Sequence, residues 1–67
     1  MIRSNLRDIL TERGLKQKYI AEKTGLNRNT ISDIVNGKKP EIESALKIAA
    51  VLEMHVEEIW SVEEEQG

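Results

Sequence analysis

Arg28, Asn29 and Asp33 carry the side chains with the most discriminating hydrogen-bond chemistry in this chain, and they fall within one short polar stretch, Arg28-Asn29-Thr30-Ile31-Ser32-Asp33-Ile34-Val35-Asn36. A guanidinium presents paired N–H groups that match the two acceptors on a guanine edge. An asparagine amide donates and accepts at once, which matches adenine. An ionised aspartate only accepts, so Asp33 suits a cytosine amino group, repels phosphate at a wrong register, or simply orients Arg28 or Asn29. Ile31 and Ile34 are spaced to form an apolar stripe behind these groups if the stretch is helical. A short helix with a dry back and a hydrogen-bonding front fits the major groove of duplex DNA. The spacing therefore predicts base contact by Arg28, Asn29 and Asp33.

Other polar residues are placed for the phosphates. Gln17 opens the preceding helix, where free backbone N–H groups and the positive dipole end favour an anion; its plainer role is a solvent-facing residue. Asn27, Thr30, Ser32 and Asn36 are candidates for DNA-backbone contact. Lys38 and Lys39 follow in a loop, where they pair with phosphates or serve only solubility.

These residues need two helices set at an angle, and residues 17–36 have that pattern. Ile20 and Ala21 lie on one face of the first helix, and the small Ala21 allows close crossing. Gly25 sits where the chain must leave that helix, a place for positive φ. Asn27 is a natural N-cap for the second. Upstream, Leu6, Ile9 and Leu10 mark another helix that Gly14 ends. Downstream, Gly37 and Pro40 stop the polar helix. A fourth helix is expected over 41–52, with Ile42, Ala45, Leu46, Ala49 and Leu52 inward and Glu41 and Glu43 at its positive end. His55 is expected to cap a last helix, 56–60. Five helices joined by short turns make a compact all-α bundle. The ends, Met1-Ile2-Arg3 and Trp60-Ser61-Val62-Glu63, alternate apolar and polar residues. Two readings stay open for them, a short two-stranded sheet or frayed termini.

At 67 residues the chain has room for a single domain, 1–67, with one small core. Phe is absent and Tyr19 and Trp60 are the only aromatics, so the core must be aliphatic. There is no cysteine, hence no disulfide and no thiolate chemistry. No apolar run approaches the ~20 residues that span a bilayer, and the start lacks the apolar region of a signal peptide; a cytoplasmic protein is expected. The net charge of −2 hides a division. Residues 1–40 hold nine Lys/Arg against four Asp/Glu, and residues 41–67 hold one Lys against eight Glu. The basic half contains the candidate DNA reader, and local field governs phosphate contact. The acidic C-terminal segment, 61–67, is expected to be solvated. His55 is the single histidine and has no cysteine partner, so no metal site is expected. With no glycine-rich phosphate loop and no recognisable nucleophile, neither an enzyme nor a cofactor is expected.

Trp60 is either a core plug or, with Ile48 and Val51, part of a self-complementary patch that makes a twofold dimer. A dimer would join two half-sites, where one helix alone reads only a few base pairs.

Taken together, Gln17-x-x-Ile20-Ala21, Gly25-Leu26-Asn27-Arg28-Asn29-Thr30-Ile31-Ser32 and Asn36-Gly37-Lys38 resemble the phage-repressor (Cro/cI-type, Xre-like) helix-turn-helix family. Ala45-Leu46-Lys47-Ile48-Ala49 and Val56-Glu57-Glu58-Ile59-Trp60 are similar to that family's fourth and fifth helices. The resemblance implies a lambda-repressor-like five-helix domain that binds operator DNA, commonly as a dimer, and regulates transcription. It also implies phosphate contact at Gln17, base contact at Arg28, Asn29 and Asp33, and backbone approach at Asn36 and the loop after it. Small stand-alone members carry little beyond these helices, and some pair their terminal segments as a sheet. Met1–Arg3 and 61–64 look similar to those segments. Val35 departs from the family, which often has Glu there, and the loop Lys38-Lys39-Pro40 is shorter. The expected function is a dimeric, sequence-specific repressor of a palindromic operator. The alternative is an interaction module, such as an antitoxin, binding a small basic protein.

Overall fold

The computed structural model describes residues 2–63; Met1 and residues 64–67, which include most of the acidic segment, lie outside the described residues. Left-handed residues and caps divide the chain into its elements. In order these are β1 (Ile2–Ser4), α1 (Leu6–Arg13), α2 (Gln17–Thr24), α3 (Arg28–Val35), α4 (Ile42–Leu52), α5 (Val56–Ile59) and β2 (Trp60–Val62). The five-helix all-α architecture is the expected one. Gly25 ends α2 at φ +77°, and its N–H reaches the Ala21 carbonyl at 2.9 Å. An L-residue would be strained there. At the end of α4 the same left-handed turn is made by Glu53, at φ 55°. The guanidinium of Arg13 supports that end by donating to the Leu52 carbonyl at 2.7 Å, which ties α1 to α4. Asn27 caps α3, its side-chain oxygen accepting from the Asn29 N–H at 2.7 Å.

The two ends of the chain pair. β1 and β2 run antiparallel in the register Ile2↔Val62, Arg3↔Ser61 and Ser4↔Trp60. The Asn5 N–H donates to the Ile59 carbonyl at 2.8 Å, continuing the join into α5. Of the two readings of the termini, the sheet is the one found. It starts at Trp60, so α5 is one residue shorter than the expected 56–60 helix. No described helix is long and apolar enough to cross a membrane.

The core is aliphatic, as the lack of Phe required. Leu6, Ile20, Ile31, Ile48, Leu52 and Ile59 are its fully buried side chains, and Leu10, Ala21, Ile34, Val35, Ala45, Ala49 and Trp60 complete it. Here α4 departs from expectation. Ala45, Ala49 and Leu52 point inward as predicted, but Ile42 is 79% exposed and Leu46 56% exposed, while Ile48 is wholly buried and Ser44 is drawn in beside it. The reason lies in the sequence of α4, which is apolar over most of its circumference. Ala45 and Ala49 belong to both possible stripes, so periodicity does not choose between the Ile42/Leu46 side and the Ile48 side. Packing against α2 and α5 makes the choice.

The same rotation corrects the expected dimer patch. Ile48 and Trp60 fill the protomer's own core, and Val51 is half-buried against it. Trp60 is the core plug, with one blemish: its indole N–H is buried without a partner among the described residues.

Two stability measurements check this packing. Ile48→Ala should cost about 2–5 kcal/mol, whereas Leu46→Ala should cost less than about 1 kcal/mol; equal losses in chemical denaturation would contradict the rotation of α4. Asn27→Ala should cost about 1 kcal/mol through the lost cap, and an unchanged midpoint would deny the cap any role.

Candidate nucleic-acid interface

Two helices and a turn build this surface. α2 leaves through Gly25, and the buried Thr24 closes the turn with its hydroxyl, which donates to the Ile20 carbonyl at 2.7 Å and accepts from the Leu26 N–H at 3.2 Å. Thr24 is a positioning residue that the sequence alone did not single out. Threonine at the end of a helix commonly bonds back to the preceding turn, and that was the available signal. Asn27 then starts α3, which packs across α2.

Ile31, Ile34 and Val35 anchor α3, each at most 7% exposed. At helical spacing the opposite face carries Arg28, Asn29, Ser32, Asp33 and Asn36. Arg28, Asn29, Asp33 and Asn36 are exposed and Ser32 is half-buried. The structure therefore brings the three expected base-reading residues onto one open face. Among the described residues neither Arg28 nor Asp33 is in an ion pair; the one found there is Glu43–Lys47 at 3.0 Å. No hydrogen bond joins the Asp33 carboxylate to Arg28 or Asn29, so an orienting role for it is not what the geometry displays. Asp33 instead lines a cleft with Thr30, Lys38, Lys39 and Ser44, on the side of α3 nearer α4. The chemistry on the open face is donation from Arg28, mixed donation and acceptance at Asn29, and acceptance at Asp33 toward its α4 side.

The expected phosphate-side residues surround this face at different distances from it. Lys38 and Lys39 are exposed in the loop after α3, which Gly37 turns at φ +110°. The Lys38 N–H is held by the Asp33 carbonyl at 2.9 Å, so the loop is anchored to α3 while its ammonium groups stay outside. Thr30 is half-buried on the flank of α3, and the side chain of Asn27 is committed to its cap. Gln17 is half-buried at the first position of α2 and lines a cleft with Arg7, Thr11 and Val35. Asn36 is exposed at the end of α3, where its side-chain oxygen accepts from the guanidinium of Arg7. Arg7 had no mark in the sequence. It lies on the polar side of α1, and nothing in its own neighbourhood announces that α1 will pass the end of α3. A further cation, Lys23, sits 5.7 Å from the ring centroid of Tyr19 on the outside of α2.

The surface is thus an exposed polar helix on an aliphatic footing, flanked by cations that form no ion pair among the described residues. A family model described as helix-turn-helix matches residues 6–59. A protein of Archaeoglobus fulgidus, described as an uncharacterized HTH-type transcriptional regulator, is 30% identical to this chain over 66 residues, which cover 97% of this chain and 94% of that protein. On the match over α1 to α5 and the geometry of α2 and α3, the chain belongs to the helix-turn-helix family.

Proposed function

We propose that this chain is a sequence-specific, DNA-binding regulator of transcription, and that it acts as a dimeric repressor of a palindromic operator. The observation that carries the reading is the outer face of α3. The side chains of Arg28 and Asn29 stand exposed there, without partners among the described residues, over a helix pinned from behind by Ile31, Ile34 and Val35. Unpaired bidentate groups on a rigid helix discriminate between base pairs because a wrong edge leaves their hydrogen bonds unmade. The excess of Lys and Arg in residues 1–40 and the description of the Archaeoglobus relative support the same reading. Nothing in this mechanism calls for catalysis or a cofactor.

Dimerisation follows from the reach of α3. Its 8 residues span ~12 Å, enough for a few base pairs, and two linked copies add their half-site energies. The surface that supports a second copy is the one left open by the rotation of α4. Ile42 and Leu46 are exposed on it, and Ile2, Pro40, Ala45, Val56 and Trp60 line a neighbouring apolar cleft. The second reading, an interaction module for a small basic protein, draws on the same exposed pair together with the acidic charge of residues 41–67.

Selection of bound duplexes from a random pool tests the main reading; it should enrich a half-site repeated with twofold symmetry, and a pool without enrichment would end the proposal. Arg28→Ala should weaken binding to the selected site by ~1–3 kcal/mol and relax preference at one position per half-site. Leu46→Glu should reduce self-association in sedimentation while leaving the unfolding midpoint nearly unchanged, because Leu46 is already in water. A wild-type chain that is monomeric alone but assembles with a small basic protein would favour the second reading.

A further inference from the structure

We propose that Arg7 and Asn36 together form a phosphodiester-binding site beside the end of α3, a DNA-backbone contact made from α1. The inference rests on the DNA-binding reading above and adds to it a residue outside the helix-turn-helix. The geometry begins with one hydrogen bond, from the Arg7 guanidinium to the Asn36 side-chain oxygen. A guanidinium has no acceptor, so only the amide oxygen can face it. The amide N–H groups of Asn36 are therefore turned to the other side. Arg7 keeps most of its donors free, and no described carboxylate forms an ion pair with it. Asp8 also lines the cleft that opens toward Asn36, but among the described residues it forms no ion pair with Arg7, and Val35, which lines both clefts, is apolar. Both Arg7 and Asn36 are exposed.

The pair thus offers outward donors and positive charge but no outward acceptor. That set matches an oxyanion with several lone pairs, and a guanidinium fork fits phosphate geometry. Of the two clefts that Arg7 lines, one opens toward Asn36 and Gly37 and the other toward Gln17. The site is therefore continuous with the N-terminal end of α2 and with the end of α3, on the margin of the face that presents Arg28 and Asn29. A phosphate held there would set the register of α3 without reading sequence.

The test compares wild type, Arg7→Ala, Arg7→Lys and Asn36→Asp on two duplexes, the selected site and a scrambled one, across a range of salt. Arg7→Ala should weaken binding to both duplexes by a similar factor, roughly three- to tenfold, and make the salt slope shallower by about one. Arg7→Lys should restore the slope more than the affinity. Asn36→Asp should weaken both duplexes, since its carboxylate neutralises Arg7 and repels phosphate. An unchanged slope for Arg7→Ala, with its thermal unfolding intact, would overturn the site and leave Arg7 as a prop for α3. Inorganic phosphate is titrated into the free chain as the second arm. Saturation of the Arg7 and Asn36 resonances at low concentration, without competition by duplex, would also overturn it in favour of a free-anion pocket. If wild type binds the selected duplex, failure of this site leaves the DNA-binding reading standing; if it binds neither duplex, both fall.

Discussion

The burial of Ile31, Ile34 and Val35 sets the roll of α3, and every functional statement about this protein depends on that roll. These three residues are on one side of an 8-residue helix. Their removal from water is worth several kcal/mol in total at ~25 cal/mol per Å² of apolar surface. No alternative rotation of α3 buries as much apolar surface, because its remaining side chains are polar. Arg28, Asn29, Ser32, Asp33 and Asn36 are outside because the isoleucines are inside. The Asn27 cap and the Thr24 hydroxyl secure the entry to the helix, so its position along the axis is fixed as well as its rotation.

The pairing of the chain ends has a less visible consequence. A two-stranded sheet of three-residue strands is weak by itself. Here it is anchored by the buried Trp60 and by the bond from Asn5 to Ile59. Together they fix where α1 begins. α1 in turn reaches α4 through Arg13 and α3 through Arg7. The N-terminal helix is thereby a strut between the core and the far end of α3. In the proposed reading, sequence-neutral contact to phosphate and sequence-dependent contact to bases would have separate structural sources, α1 with its neighbours for the first and the open face of α3 for the second.

The exposed apolar pair on α4 has a different character. Ile42 and Leu46 are the most water-exposed large aliphatics of the described helices, and Ala45, next to Leu46 in α4, lines a cleft with Ile2, Pro40, Val56 and Trp60. Burying large aliphatics elsewhere in this small core while leaving these two in water concentrates apolar surface on one side. The acidic charge of residues 41–67 belongs to this half of the chain and the basic charge to the half that carries α2 and α3.

Local chemistry made much of this legible in the residues themselves. Gly14, Gly25 and Gly37 mark helix ends because left-handed turns there suit glycine. Asn27 is identifiable as a cap from its type and place, and Ile31 and Ile34 set the dry side of α3 because nothing else in that helix is apolar enough to compete. Those are properties of one segment at a time. The tertiary structure decided what depends on two segments at once. It chose Ile48 over Leu46 for the core, since α4 has two overlapping apolar stripes and only contact with α2 and α5 separates them. It took Trp60 out of the helix and into a strand, since Ser4 supplies the partner. It also placed Arg7 against Asn36, a meeting of residues 29 positions apart that no local pattern encodes. Hydrophobic periodicity carries information about direction around one axis; which neighbour lies in that direction is determined only when the whole chain has packed.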